Sequence, residues 1–161
     1  MADGAAQVAD VVSHPPHYQG AGGLEAIDVI ETYGLHVSMH LGNAAKYLLR
    51  AGRKDGAGAG TDLRKALWYV RRWNARGDWR VYARHAMADV GPRPSPEQVL
   101  TAFGLTLWRA DAMRALLGLR EVVMGSWQGR EAHVAWMIET LERAALEATA
   151  NDAQASAGRP A

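Results

Sequence analysis

The chain has 161 residues, 48% of them hydrophobic and 22% charged, the balance of one ordinary globular domain. It contains no cysteine, which excludes a disulfide framework, a zinc–thiolate site and a thiol nucleophile, and fits a reducing compartment. The formal net charge of +1 hides a segregation: residues 1–45 carry five acids and no Lys or Arg, residues 46–84 eleven basic against three acidic side chains, and residues 85–161 seven against nine.

A central block of that charge density attracts anions, whether phosphate esters, nucleic acid or an acidic partner; the competing reading is a solvated helical face. No run approaches the roughly 18 apolar residues of a membrane span. The N-terminal stretch lacks a basic region followed by an apolar core, so no signal peptide is expected. The expectation is therefore a cytoplasmic protein without a membrane partner.

In chain order, residues 1–12 are small and polar and are expected to be disordered. Pro15 and Pro16 fix an extended segment that presents His17 and Tyr18 rigidly. Apolar spacing predicts a first helix over residues 24–33, ended by Gly34, and a second from a Ser38 cap to about Ala51. Residues 52–60 form a glycine-rich loop whose Arg53 and Lys54 are able to reach a phosphate. The loop does not match the phosphate-loop pattern, and the element before it is helical. Thr61 is expected to cap a third helix running to about Arg76, with Leu63, Ala66, Leu67 and Val70 as its core stripe.

A short helix is predicted over residues 79–89, and Ser95-Pro96-Glu97 starts another that ends at Gly104. Helices over residues 107–117 and 129–149 follow, then a disordered tail at 150–161. The expected fold is all-α: a small helical bundle with a first helical unit at residues 13–90 and a C-terminal unit at 91–149 packed on it. Residues 29–35 resemble residues 99–105 in pattern, which raises the possibility of two degenerate three-helix units.

Helical projection gathers the chemistry. His40, Asn43, Lys46, Tyr47 and Arg50 share one sector of the second helix; Asp62, Lys65, Tyr69, Arg72 and Arg76 share one sector of the third. A nine-residue loop makes the two helices antiparallel neighbours. Each brings a Tyr and several cations to a shared groove, where Arg and Lys grip phosphate oxygens and Tyr or Trp68 stacks a base. His14, His17 and His40 have generic spacing and no evident carboxylate partner, so no metal site is expected. No Ser-His-Asp order or catalytic carboxylate pair stands out.

The joint pattern His-Pro-Pro-His-Tyr at 14–18, Leu-Gly-Asn-Ala-Ala-Lys-Tyr-Leu-Leu-Arg-Ala-Gly-Arg-Lys at 41–54 and Asp-Leu-Arg-Lys-Ala-Leu-Trp-Tyr at 62–69 resembles the SaV-like small phage proteins. Those proteins in turn look like the nucleotide kinase of T7-type phages. The resemblance covers about residues 13–73. It implies nucleotide binding or phosphoryl transfer without a phosphate loop, and self-assembly into a homo-oligomer.

The resulting expectation is a kinase-like phosphotransferase acting on a nucleoside monophosphate or another phosphorylated small molecule, with magnesium arriving with the nucleotide. Lys46, Arg50 and Asp62 are its catalytic candidates. His17, Tyr18, Asn43, Tyr47, Arg53, Lys54, Lys65, Trp68 and Tyr69 are its substrate-binding candidates. The alternatives are a binder that sequesters or senses a nucleotide and a nucleic-acid-binding accessory protein.

Overall fold

A computed structural model describes residues 12–86, 92–123 and 127–158. Among them the fold is all-α, with eight helices and no strand. The helices are α1 (Ala26–Thr32), α2 (Met39–Arg50), α3 (Ala59–Arg76), α4 (Trp79–Ala86), α5 (Pro96–Phe103), α6 (Leu107–Leu117), α7 (Leu119–Val123) and α8 (Trp127–Ala157).

Local chemistry explains most boundaries. The Glu25 N–H donates to Asp28 Oδ2 at 2.9 Å in a capping box that opens α1 two residues later than the spacing suggested. Ser38 caps α2 by accepting the Leu41 N–H at 3.3 Å. Ser95 and Gln98 form a second capping box at α5, with Pro96 in the first turn. Gly34, Gly77 and Gly104 stand in the left-handed region after α1, α3 and α5, a conformation that costs residues with a Cβ.

Three expectations change. Gly58, not Thr61, is the N-cap of α3. The missing capping carboxylate comes from far along the chain: the Gly60 N–H donates to Asp152 Oδ2 at 2.9 Å. Consequently residues 150–157, expected to be a disordered tail, continue α8 as helix. The short α7 went unforeseen, and residues 1–11 and the end of the predicted 79–89 helix lie outside the described residues.

Helices α2 and α3 pack as a hairpin, and α8 lies against both α3 and α6. The α2–α3 pairing runs antiparallel, since Arg50 meets Asp62 while Tyr47 meets Tyr69. The α3–α8 pairing is antiparallel too, with Gly60 against Thr149 and Arg71 against Glu142. Leu41, Leu48, Leu49, Leu63 and Val70 from the hairpin fuse with Met113, Leu116, Met137 and Leu141 into one core. In the first half α1 packs on α2 and α2 on α3; in the second α5 packs on α6 and α6 on α8. Two buried tyrosines brace the junction: Tyr82 donates to the Tyr33 carbonyl at 3.1 Å, and Tyr33 donates to the Pro94 carbonyl at 2.7 Å.

Candidate functional site

The outer face of the α2–α3 hairpin joins most of the residues that the sequence singles out. At its base Arg50, 8% exposed, meets Asp62, 0% exposed, through Nε–Oδ2 and Nη2–Oδ1 contacts of 3.0 Å each. Its third nitrogen donates to the Tyr18 hydroxyl at 3.0 Å. The guanidinium also lies 4.7 Å from the centre of the Tyr47 ring. Arg50 and Asp62, two of the three catalytic candidates, are thus engaged with each other and, for Arg50, with Tyr18 beneath the groove.

Above them the face is open and cationic. Lys46 Nζ and Lys65 Nζ sit 5.0 and 5.3 Å from the centre of the same Tyr47 ring, and Tyr47 stacks on Tyr69 at 5.8 Å with 15° between the planes. Trp68, 57% exposed, meets Tyr69 edge-on at 5.0 Å, and His40 approaches its other side at 6.2 Å. Beyond Trp68 the face continues into a groove of about 550 Å³ lined by His40, Arg72, Arg76 and Asp78.

Charge balance separates the cations into two sets. Arg71 pairs with Glu142 and Arg76 with Asp78. Lys46, Lys54, Lys65 and Arg72 form no ion pair among the described residues. Burial, followed by the neighbouring charges of Arg50 and Lys65, with Asp62 opposing, holds the Lys46 ammonium below its usual pKa. Burial, Arg50 and Lys54 likewise lower His17, whose ring lies 4.3 Å from that of Tyr18. Each cation raises the cost of protonating the next, and an anion arriving there relieves all of them.

Other candidates are placed differently. Arg53 donates to the Phe103 carbonyl at 3.2 Å and to the Gln19 carbonyl, tying the N-terminal segment to α5. No sequence signal marks Gln19 or Phe103 as its partners. The Asn43 amide donates to the Met39 carbonyl at 2.8 Å within its own helix. His14 pairs with Glu25 at 2.7 Å. No group of three His, Asp or Glu side chains fit to hold a metal occurs among the described residues.

A family model described as a protein of unknown function (DUF3310) matches residues 12–71. This span covers the His17–Tyr18 segment, α1, α2 and most of α3, and with them the whole Lys46–Tyr47–Lys65 cluster. No curated protein and no solved structure matches the chain.

Proposed function

We propose that the α2–α3 face binds a phosphorylated nucleotide without transforming it. The observation that carries this reading is the convergence of Lys46 and Lys65 on one Tyr47 ring, with neither ammonium in an ion pair among the described residues. Like charges brought together at a half-buried site destabilise the free protein, and a phosphate group reverses the sign of that interaction. Tyr69 and the exposed Trp68 supply faces on which a base stacks. The resemblance of residues 13–73 to phage nucleotide-kinase-like proteins points to the same ligand class.

A binder is favoured over a phosphotransferase because of Asp62. A carboxylate that orients an acceptor or holds magnesium must face the ligand. Asp62 is fully buried, with both oxygens engaged by Arg50. The test is calorimetric titration with nucleoside mono-, di- and triphosphates, followed by chromatography of the mixtures. We expect saturable binding that weakens about tenfold or more in Lys46→Ala and in Lys65→Ala, the scale of a lost charge-assisted hydrogen bond, and no conversion of nucleotide. Affinities within twofold of wild type in both variants overturn the site. Formation of a diphosphate from a monophosphate and a triphosphate donor overturns the non-catalytic reading.

A further inference from the structure

Lys65, Trp68, Arg72 and Arg76 follow one another along one side of α3, at the three- and four-residue steps that stack side chains on a helix face. At the helical rise per residue the stripe is about 16 Å long, and Lys65 and Arg72 stand about 10 Å apart along the axis with Trp68 between them. The exposed Trp68 lines the groove that also holds Arg72 and Arg76. Its other neighbour is Tyr69, which stacks on Tyr47, the ring flanked by Lys46 and Lys65. The indole is thus the middle of a strip with cations at both ends.

At the far end Arg72 forms no ion pair among the described residues. Asp78, the carboxylate of the groove, lies 3.3 Å from Arg76 and 3.5 Å from His40. The Arg76–Asp78 pair is exposed, and such pairs hold their partners weakly, so an arriving phosphate competes for Arg76. One nucleotide with its base on Trp68 has its phosphate on one side of the ring and leaves the cations on the other side unmatched. A phosphodiester chain has a phosphate on both sides of every internal base.

We propose that this strip binds single-stranded nucleic acid, with a base on Trp68, one flanking phosphate at Lys46 and Lys65 and the other at Arg72 and Arg76. The proposal rests on the reading of the α2–α3 face as a nucleotide site and extends it from one unit to a chain. A single strand is required because a duplex keeps its base faces inside its own stack, whereas an unpaired base offers its face to an exposed ring. Cations at both ends supply the sequence-independent attraction to the backbone.

The experiment is calorimetric titration of the full chain, over a range of salt concentrations, with thymidine monophosphate, a 5′-phosphorylated tetrathymidylate and an abasic phosphodiester chain of the same length. The tetranucleotide is expected to bind about tenfold or more tighter than the monophosphate, with a log–log salt slope of about −2 to −3, as for three or four phosphates on a single strand. The abasic chain keeps the charge but cannot stack, and should bind about fivefold or more weaker than the tetranucleotide. Arg72→Ala, an exposed position, should cut the advantage of the tetranucleotide over the monophosphate about threefold or more. A tetranucleotide within twofold of the monophosphate, an abasic chain that binds as tightly as the tetranucleotide, or an undiminished advantage in Arg72→Ala overturns the proposal. The nucleotide site itself falls on a different result, monophosphate affinity that survives both Lys46→Ala and Lys65→Ala.

Discussion

Arg50 and Asp62 form a two-point ion pair at the floor of the α2–α3 hairpin, where the carboxylate has no contact with solvent. Removing one member of such a pair leaves an uncompensated buried charge, whereas removing both leaves a void with no charge in it. Arg50→Met is therefore expected to destabilise by about 3–5 kcal/mol, lowering the melting temperature by roughly 10 °C for a chain of this size. Arg50→Met combined with Asp62→Leu should recover most of that loss. Denaturant unfolding checks both, and a double variant no more stable than Arg50→Met would show that the pair contributes more than mutual neutralisation.

The start of α3 makes a second prediction. A Cβ on Gly60 would stand 2.8 Å from the Thr149 backbone nitrogen and Cα, so Gly60→Ala must push α3 and α8 apart. A cost of about 1–3 kcal/mol is expected, as for overpacking a tight contact. Asp152→Ala removes only the capping bond to the Gly60 N–H and should cost about 1 kcal/mol. Hydrogen exchange is expected to rise first at residues 59–62 and 149–157 in both variants.

These two relationships also mark where sequence reading stops. The helix order, the Ser38 and Ser95 caps and the glycine stops at 34 and 104 were legible because each depends on residues within four positions. Asp152 acting at Gly60 spans 92 positions, and no local pattern announces it. The preference of Thr61 for a cap position was overridden by that distant carboxylate. The groove was legible as a sector of cations and tyrosines, but projection cannot tell the exposed part of a sector from the part at a helix seam. Lys65 and Tyr69 face outward on that sector, while Asp62, one turn earlier, falls where α2 closes over it. The flexible loop sequence suggests a phosphate contact for Arg53, but its two carbonyl partners lie 34 and 50 positions away.

Tyr47 is expected to matter for binding although it carries no charge. Its ring holds Lys46, Lys65 and Arg50 within 5.3 Å of its centre and stacks on Tyr69. Cation–π contacts of this kind contribute about 0.5–1 kcal/mol each at exposed sites. Tyr47→Leu keeps every cation but lets the ammonium groups separate. Nucleotide affinity should fall about three- to tenfold, with Tyr47→Phe close to wild type. Equal affinities in Tyr47→Leu and wild type would mean that the ring does not position the lysines.

His17 gives the site a dependence on pH whose sign follows from its surroundings. Burial and the charges of Arg50 and Lys54 lower its pKa below 6.5, with Asp62 and Asp55 opposing. In the free protein the unfolded chain therefore binds the proton more readily, so this group removes stability as pH falls below 6.5, until the folded value is passed. A bound phosphate diester adds negative charge and raises the pKa of His17. Binding then takes up a proton, and affinity rises as pH falls through the bound-state pKa, levelling off below the free-state value. A cyclic nucleotide is the right probe, because a phosphate monoester titrates near pH 6 and would add its own dependence. Calorimetry in buffers of different ionisation enthalpy should register proton uptake near pH 6.5 that disappears in His17→Asn. If the variant retains the full pH dependence, His17 does not face the ligand, and the proton belongs to another group on the groove.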